Sequence, residues 1–120
     1  MFLSQVFWPQ LHSGEGIIET PGDHADERET SLMLHLHPGI VLPKSDWGSG
    51  KNHAPKLKAI REKRAWAQRE WTKATVDTGS GDPQHSTAEK GKKYFDLLSQ
   101  RFADYLIELA AADVTDLYES

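Results

Sequence analysis

The chain has 120 residues, 38% of them hydrophobic and 27% charged, with a net charge of −4 and no cysteine. That length holds one domain at most, the composition is that of a soluble globular protein, and the missing thiols exclude a disulfide framework and a thiolate metal site. No apolar run approaches the roughly 18 residues a bilayer span requires; the apolar start at Met1, Phe2 and Leu3 lacks a basic leader and a small-residue cleavage site, so the cytoplasm is the expected compartment.

Residues 2–8, Phe-Leu-Ser-Gln-Val-Phe-Trp closed by Pro9, predict a strand. A strand of a parallel sheet needs neighbours and crossover helices, and nothing in the sequence precedes this one, so the chain reads as the second half of a larger α/β fold. Residues 10–22 contain Gly14, Gly16, Pro21 and Gly22 and predict a loop, with a brief extended piece over 16–19. Loops at strand ends of open α/β sheets are where ligands sit, and this one delivers His24.

A short helix is predicted over residues 27–37, stopped by Pro38 and Gly39, with Leu32 and Leu36 on one face and Met33 beside them. Asp23, Asp26, Glu27 and Glu29 gather where it begins. One reading is structural: the positive end of the helix dipole stabilises such anions by about 0.3–1 kcal/mol each, and His24 is merely hydrogen-bonded to them. The other is chemical: an imidazole, whose unperturbed pKa is near ~6.5, set among carboxylates is the natural proton carrier at neutral pH.

Residues 40–42 predict a short extended segment and 44–56 an irregular Gly- and Ser-containing excursion. With one or two helical turns at most over 56–69, residues from about 43 to 75 read as a long arm anchored by Trp66 and Trp71. Eight basic residues lie within residues 51–73 (Lys51, Lys56, Lys58, Arg61, Lys63, Arg64, Arg69, Lys73), whereas five acidic residues and no basic one follow from Asp104 onward. The preferred reading pairs these faces with each other or with a neighbouring subunit, nucleic acid being the lesser reading. Trp and Arg are also the enriched anchors of subunit contacts, so a homo-oligomer is expected.

Residues 71–78 are rich in β-branched side chains and predict an extended segment. Gly79 to Pro83 predict a tight turn; they lack the Gly-Lys-Ser/Thr ending of a phosphate loop and the third glycine of a dinucleotide fingerprint. Ser86 or Thr87 caps the last helix, with Glu89 at capping-box spacing from Ser86. Gly91, Tyr94 or Phe95, Leu98, Phe102, Tyr105 or Leu106 and Leu109 then recur at three- and four-residue steps through Ala112, a stripe that needs a sheet to cover. His35 and His37 lie about 200° apart on a helix and cannot share an ion; His12, His24, Glu27 and Glu29 converge on one only if the loop folds back, and no spacing fixes that.

Two blocks carry a family resemblance. His24-Ala25-Asp26-Glu27-Arg28-Glu29-Thr30-Ser31, running on to Pro38 and Val41, resembles the His-Ala-Gly-Glu-x-Glu-Thr-Ser block of the creatininase (creatinine amidohydrolase) family. Gly79-Ser80-Gly81-Asp82-Pro83 followed by Thr87-Ala88-Glu89-Lys90-Gly91 resembles the segment before that family's last helix. The chain departs from the pattern at Asp26, where the family has glycine, and at Thr20 and Pro21, where creatininase itself has Trp and Asp.

The resemblance implies the C-terminal part of a three-layer α/β/α domain, with short strands and a long C-terminal helix, as a single partial domain over 1–120. It implies catalytic roles for His24, as proton carrier and substrate contact, and for Glu29 in the same site. The reaction implied is hydrolysis of a C–N bond in a small-molecule amide, supported by divalent zinc or manganese. The family's metal ligands, a Glu-x-His with a nearby Asp and a His-x-Glu, lie upstream of the first block and have no counterpart in this sequence, so activity is expected to need a missing N-terminal half. The alternative is a non-catalytic remnant or oligomerisation module.

Overall fold

The structure, a computed structural model, describes residues 16–119; the strand expected over residues 2–8 and His12 lie outside the described residues. In chain order the elements are strand β1 (Gly22–His24), helix α1 (Glu27–Leu36), helical turns α2 (Lys58–Arg61) and α3 (Trp71–Ala74), strand β2 (Ser80–Gly81) and helix α4 (Ala88–Ala111). Short 3-10 turns at Pro38–Ile40 and Lys44–Asp46 follow α1. Helices beside a small sheet place the described residues in the expected α/β class. Among them, no helix is long and apolar enough to cross a membrane.

The two strands pair antiparallel, Gly22 opposite Gly81 and His24 opposite Ser80. Gly81 has φ +122°, and a Cβ there would stand 2.6 Å from the Cα of Gly22, so only glycine permits this approach. Within the expected tight turn at 79–83, Ser80 and Gly81 instead form the short strand β2. Its amide at Gly81 also donates to the carbonyl of Gly50 at 2.9 Å, which ties the excursion after α1 to the same place.

Helix α1 starts where Asp26, in extended conformation, accepts from the amides of Arg28 and Glu29 at 2.9 and 3.0 Å. It ends at Leu36, with His37 as its C-cap and Pro38 next, within one residue of the sequence expectation. At the start of α4 it is Thr87 that accepts from the Lys90 amide, at 3.1 Å, while the Ser86 hydroxyl donates to the carbonyl of Glu27 at 3.2 Å. Capping-box spacing from Ser86 therefore pointed to the wrong hydroxyl, because Ser86 is drawn to α1 instead.

The expected extended run over 71–78 begins as the turn α3. Thr75 folds its hydroxyl back onto the carbonyl of Trp71 at 2.9 Å and only then bridges to Asn52. β-branched preference yields to a local hydrogen bond, in keeping with its dependence on context.

Helices α1 and α4 pack directly on each other. The fully buried side chains are Tyr94, Glu27, Asp26 and Ser31, and Tyr94 is the only buried hydrophobic residue among those described. The centre of this packing is a polar knot. Much of the apolar stripe faces outward: Phe95 is 39%, Phe102 38% and Leu106 50% exposed, flanking a groove of about 550 Å³ that Leu32, Leu36 and Leu98 also line. Close contact in the knot depends on Gly91, where a Cβ would lie 1.8 Å from the carbonyl oxygen of Ser31. Gly91→Ala is expected to push the helices apart and lower stability by about 1–3 kcal/mol despite alanine's better helix propensity, as read by chemical denaturation.

Candidate active site

The first block runs out of β1, turns at Ala25 and enters α1. Ala25 adopts φ +48°, a left-handed conformation that a non-glycine residue keeps only when its surroundings enforce it. The enforcement is visible: the Ala25 amide donates to Glu29 Oε2 at 2.6 Å, and its carbonyl accepts from the Thr30 hydroxyl at 3.3 Å. This turn separates the carboxylates into two sets.

Asp26 and Glu27 point inward. Asp26 caps α1 and accepts from Arg28 Nε and Nη2 at 2.9 and 2.8 Å, while the same guanidinium donates to the carbonyl of Gly22. Glu27 takes four partners on two oxygens: the amides of Glu19 and Thr20 at 3.0 and 2.7 Å, the Thr20 hydroxyl at 2.7 Å and Lys90 Nζ at 2.6 Å. Burial raises the pKa of this carboxyl, but the Lys90 ammonium and the donors of Thr20 and Glu19 together outweigh it and hold the group at about 2. Lys90 is raised in turn by its bonds to Glu19 and Glu27. For these two acids, the capping and structural reading of the cluster is the one that describes their contacts.

His24 and Glu29 face outward. His24 Nδ1 stands 3.8 Å from Glu29 Oε2, both side chains being about half exposed, at 52% and 54%. The imidazole meets the indole of Trp71 edge to face, ring centres 5.2 Å apart and planes at 84°. It therefore lies at the open end of β1 rather than beneath α4. Sequence reasoning paired His24 with Glu29 but missed Trp71, read only as an arm anchor, and Lys90, although Lys90 stands in the second block.

Next to this turn lies a cavity of about 300 Å³ whose walls include Ala25, Thr30, Val41, Trp47, Asp77 and Thr78. Asp77 accepts from the Ser49 hydroxyl at 2.8 Å and from the amides of Ser49 and Gly50; these bonds, the Ser49 hydroxyl foremost, lower its pKa. The cavity touches the first block through Ala25 and Thr30, and His24 is not part of its lining.

The donor set for a metal does not fit. Among the described residues, no group of three or more His, Cys, Asp or Glu side chains is arranged to hold an ion. Glu27 is committed to Lys90 and Thr20, so it does not join His24 and Glu29. The basic arm is likewise engaged in part: Arg69 pairs with Asp23 at 2.8 Å, and Lys58, Arg64 and Lys73 pair with glutamates of their own segment.

The two sequence blocks thus meet in space, the first supplying β1 and α1, the second β2 and the start of α4, which gives an α/β chain built around a histidine–carboxylate turn. The family model for creatininase, creatinine amidohydrolase, matches residues 2–106, and the chain belongs to the creatininase family. Its fold superposes with a TM-score of 0.81, at 39% identity, on a crystal structure from Bacteroides fragilis NCTC 9343 that carries the provisional name creatinine amidohydrolase. That match covers 95% of this chain and 44% of the other, so the chain spans less than half the length of the solved structure. A search among curated proteins gives no significant match.

Proposed function

We propose that this chain forms the C-terminal part of a creatininase-type amidohydrolase, in which His24 is the general acid/base for hydrolysis of a non-peptide C–N bond in a small amide. The observation that carries this reading is the outward pair itself: an exposed imidazole 3.8 Å from Glu29, on a turn whose left-handed residue is pinned by that same glutamate. With Nδ1 on the Glu29 side, Nε2 is the nitrogen left for substrate. His24 takes a proton as water adds to the amide carbon and returns one to the nitrogen as the C–N bond breaks. Glu29 stabilises the charge the imidazole gains.

The described residues hold no metal ligand set, so in this reading the family's zinc or manganese is bound by protein outside them. Residues 1–120 then form one partial domain with 43–75 as an arm, working in the cytoplasm in a homo-oligomer or beside the metal-binding portion. The test is complementation. The full chain is assayed on small cyclic and linear amides alone, and again with the segment of the Bacteroides fragilis protein that it does not match, manganese or zinc being present in both. Turnover in the mixture and none in either part alone is expected; no turnover from a mixture that associates would overturn the reading. The apolar groove between α1 and α4 favours a second reading, an assembly module without catalysis, and that outcome would support it.

A further inference from the structure

We infer that Trp71, held by Arg69, is a positioning residue for the His24 imidazole; the inference rests on the proposed role of His24. An imidazole half exposed on a turn has several rotamers open to it, and a proton carrier is effective only in the one aimed at substrate. Glu29 meets the ring at Nδ1, at a distance too long to fix it by a hydrogen bond. The remaining restraint comes from the arm. The indole of Trp71 packs edge to face against the imidazole, a geometry that aromatic pairs favour.

Trp71 is itself fixed from several sides. Its Nε1 donates to the carbonyl of Thr78 at 3.0 Å, and Thr78 has φ +70°. The Arg69 guanidinium lies over the indole with Cζ 4.7 Å from the ring centre. Arg69 also donates to Asp23 Oδ2 at 2.8 Å, one residue before His24, so a single side chain fastens the arm both to the strand carrying the imidazole and to the ring that orients it. The arm thereby reaches across 46 positions of sequence to the site.

The experiment is proton NMR of the full chain, with the His24 ring resonances assigned by their loss in His24→Gln. Cross-relaxation between imidazole and indole protons is expected in the unaltered chain. Trp71→Leu should displace the His24 ring signals, Trp71→Phe should return them most of the way, and Arg69→Gln should displace them partially. Arg69 is half exposed, so that variant keeps the fold and decides the matter if Trp71→Leu unfolds. Missing cross-relaxation in the unaltered chain, or unmoved His24 signals in both Arg69→Gln and folded Trp71→Leu, would overturn the inference. These signals report ring position whether or not an amide is hydrolysed, so their failure is distinct from failure of the amidohydrolase reading. In the complemented enzyme Trp71→Leu should lower kcat by about ten- to a hundredfold with KM little changed, whereas a merely structural role would lower the amount of active enzyme and leave the Trp71→Phe variant unrescued.

Discussion

Glu27→Ala is expected to destabilise the chain by about 3–5 kcal/mol, measured by urea denaturation. The substitution removes the shared acceptor of four donors at once: the amides of Glu19 and Thr20 lose their partner, the Thr20 hydroxyl keeps only the carbonyl of Asp82, and the Lys90 ammonium keeps only Glu19 and the carbonyl of His85. A buried ion pair is often replaceable by well-packed apolar residues, but that argument does not extend to this site. Two of the donors are backbone amides, which no side-chain exchange can remove, so Glu27→Leu should be nearly as damaging as alanine. With a single hydrophobic residue buried among those described, little apolar packing stands in reserve.

The same carboxyl gives the expectation a pH signature. Its pKa falls from an ordinary 4.5 to about 2 on folding, a depressed value, so its contribution is complete above pH 4.5 and is lost as pH drops toward 2. At about 1.4 kcal/mol per unit the loss amounts to about 3 kcal/mol across that window. Acid titration followed by circular dichroism should show the unaltered chain losing stability between about pH 4.5 and 2, and Glu27→Gln, weaker from the start, losing much less over the same range. Parallel curves would mean that other carboxylates govern acid unfolding.

What could be read from the sequence follows from how local each feature is. Helices α1 and α4 were legible because period, caps and stops all lie within the segment: Asp26 and Pro38 bracket one, Thr87 opens the other. His24 and Glu29 were legible because five positions and one turn bring them together. The strand pair was not, since β2 is two residues long and owes its existence to glycines meeting the backbone of Gly22 and Gly50. Nor was the division of the acidic cluster. Glu27 is withdrawn from the site by Lys90, 63 positions away, and nothing near Glu27 announces that partner. The stripe on α4 was legible as a period, but its two sides part company: Gly91 and Tyr94 enter the polar knot while Phe95, Phe102 and Leu106 stay open.

The second large effect belongs to His24. Losing a positioned general acid/base costs about 10²–10⁴ in rate, so His24→Gln should abolish nearly all turnover in the complemented enzyme while leaving the fold intact, because the imidazole is half exposed and no buried group depends on it. Glu29→Gln should cost less in rate, since the amide oxygen still accepts from Ala25 while the charge facing the imidazole is lost. Stability would separate these variants from Glu27→Ala, which fails by unfolding.

The most direct measurement is therefore kcat/KM of the complemented enzyme with His24→Gln, on the amide that the unaltered chain turns over. A fall of a hundredfold or more, with unchanged urea midpoint and unchanged association, is the expected result. Turnover within threefold of the unaltered chain would show that the proton passes through some other group, and that His24 is not the acid/base of the reaction.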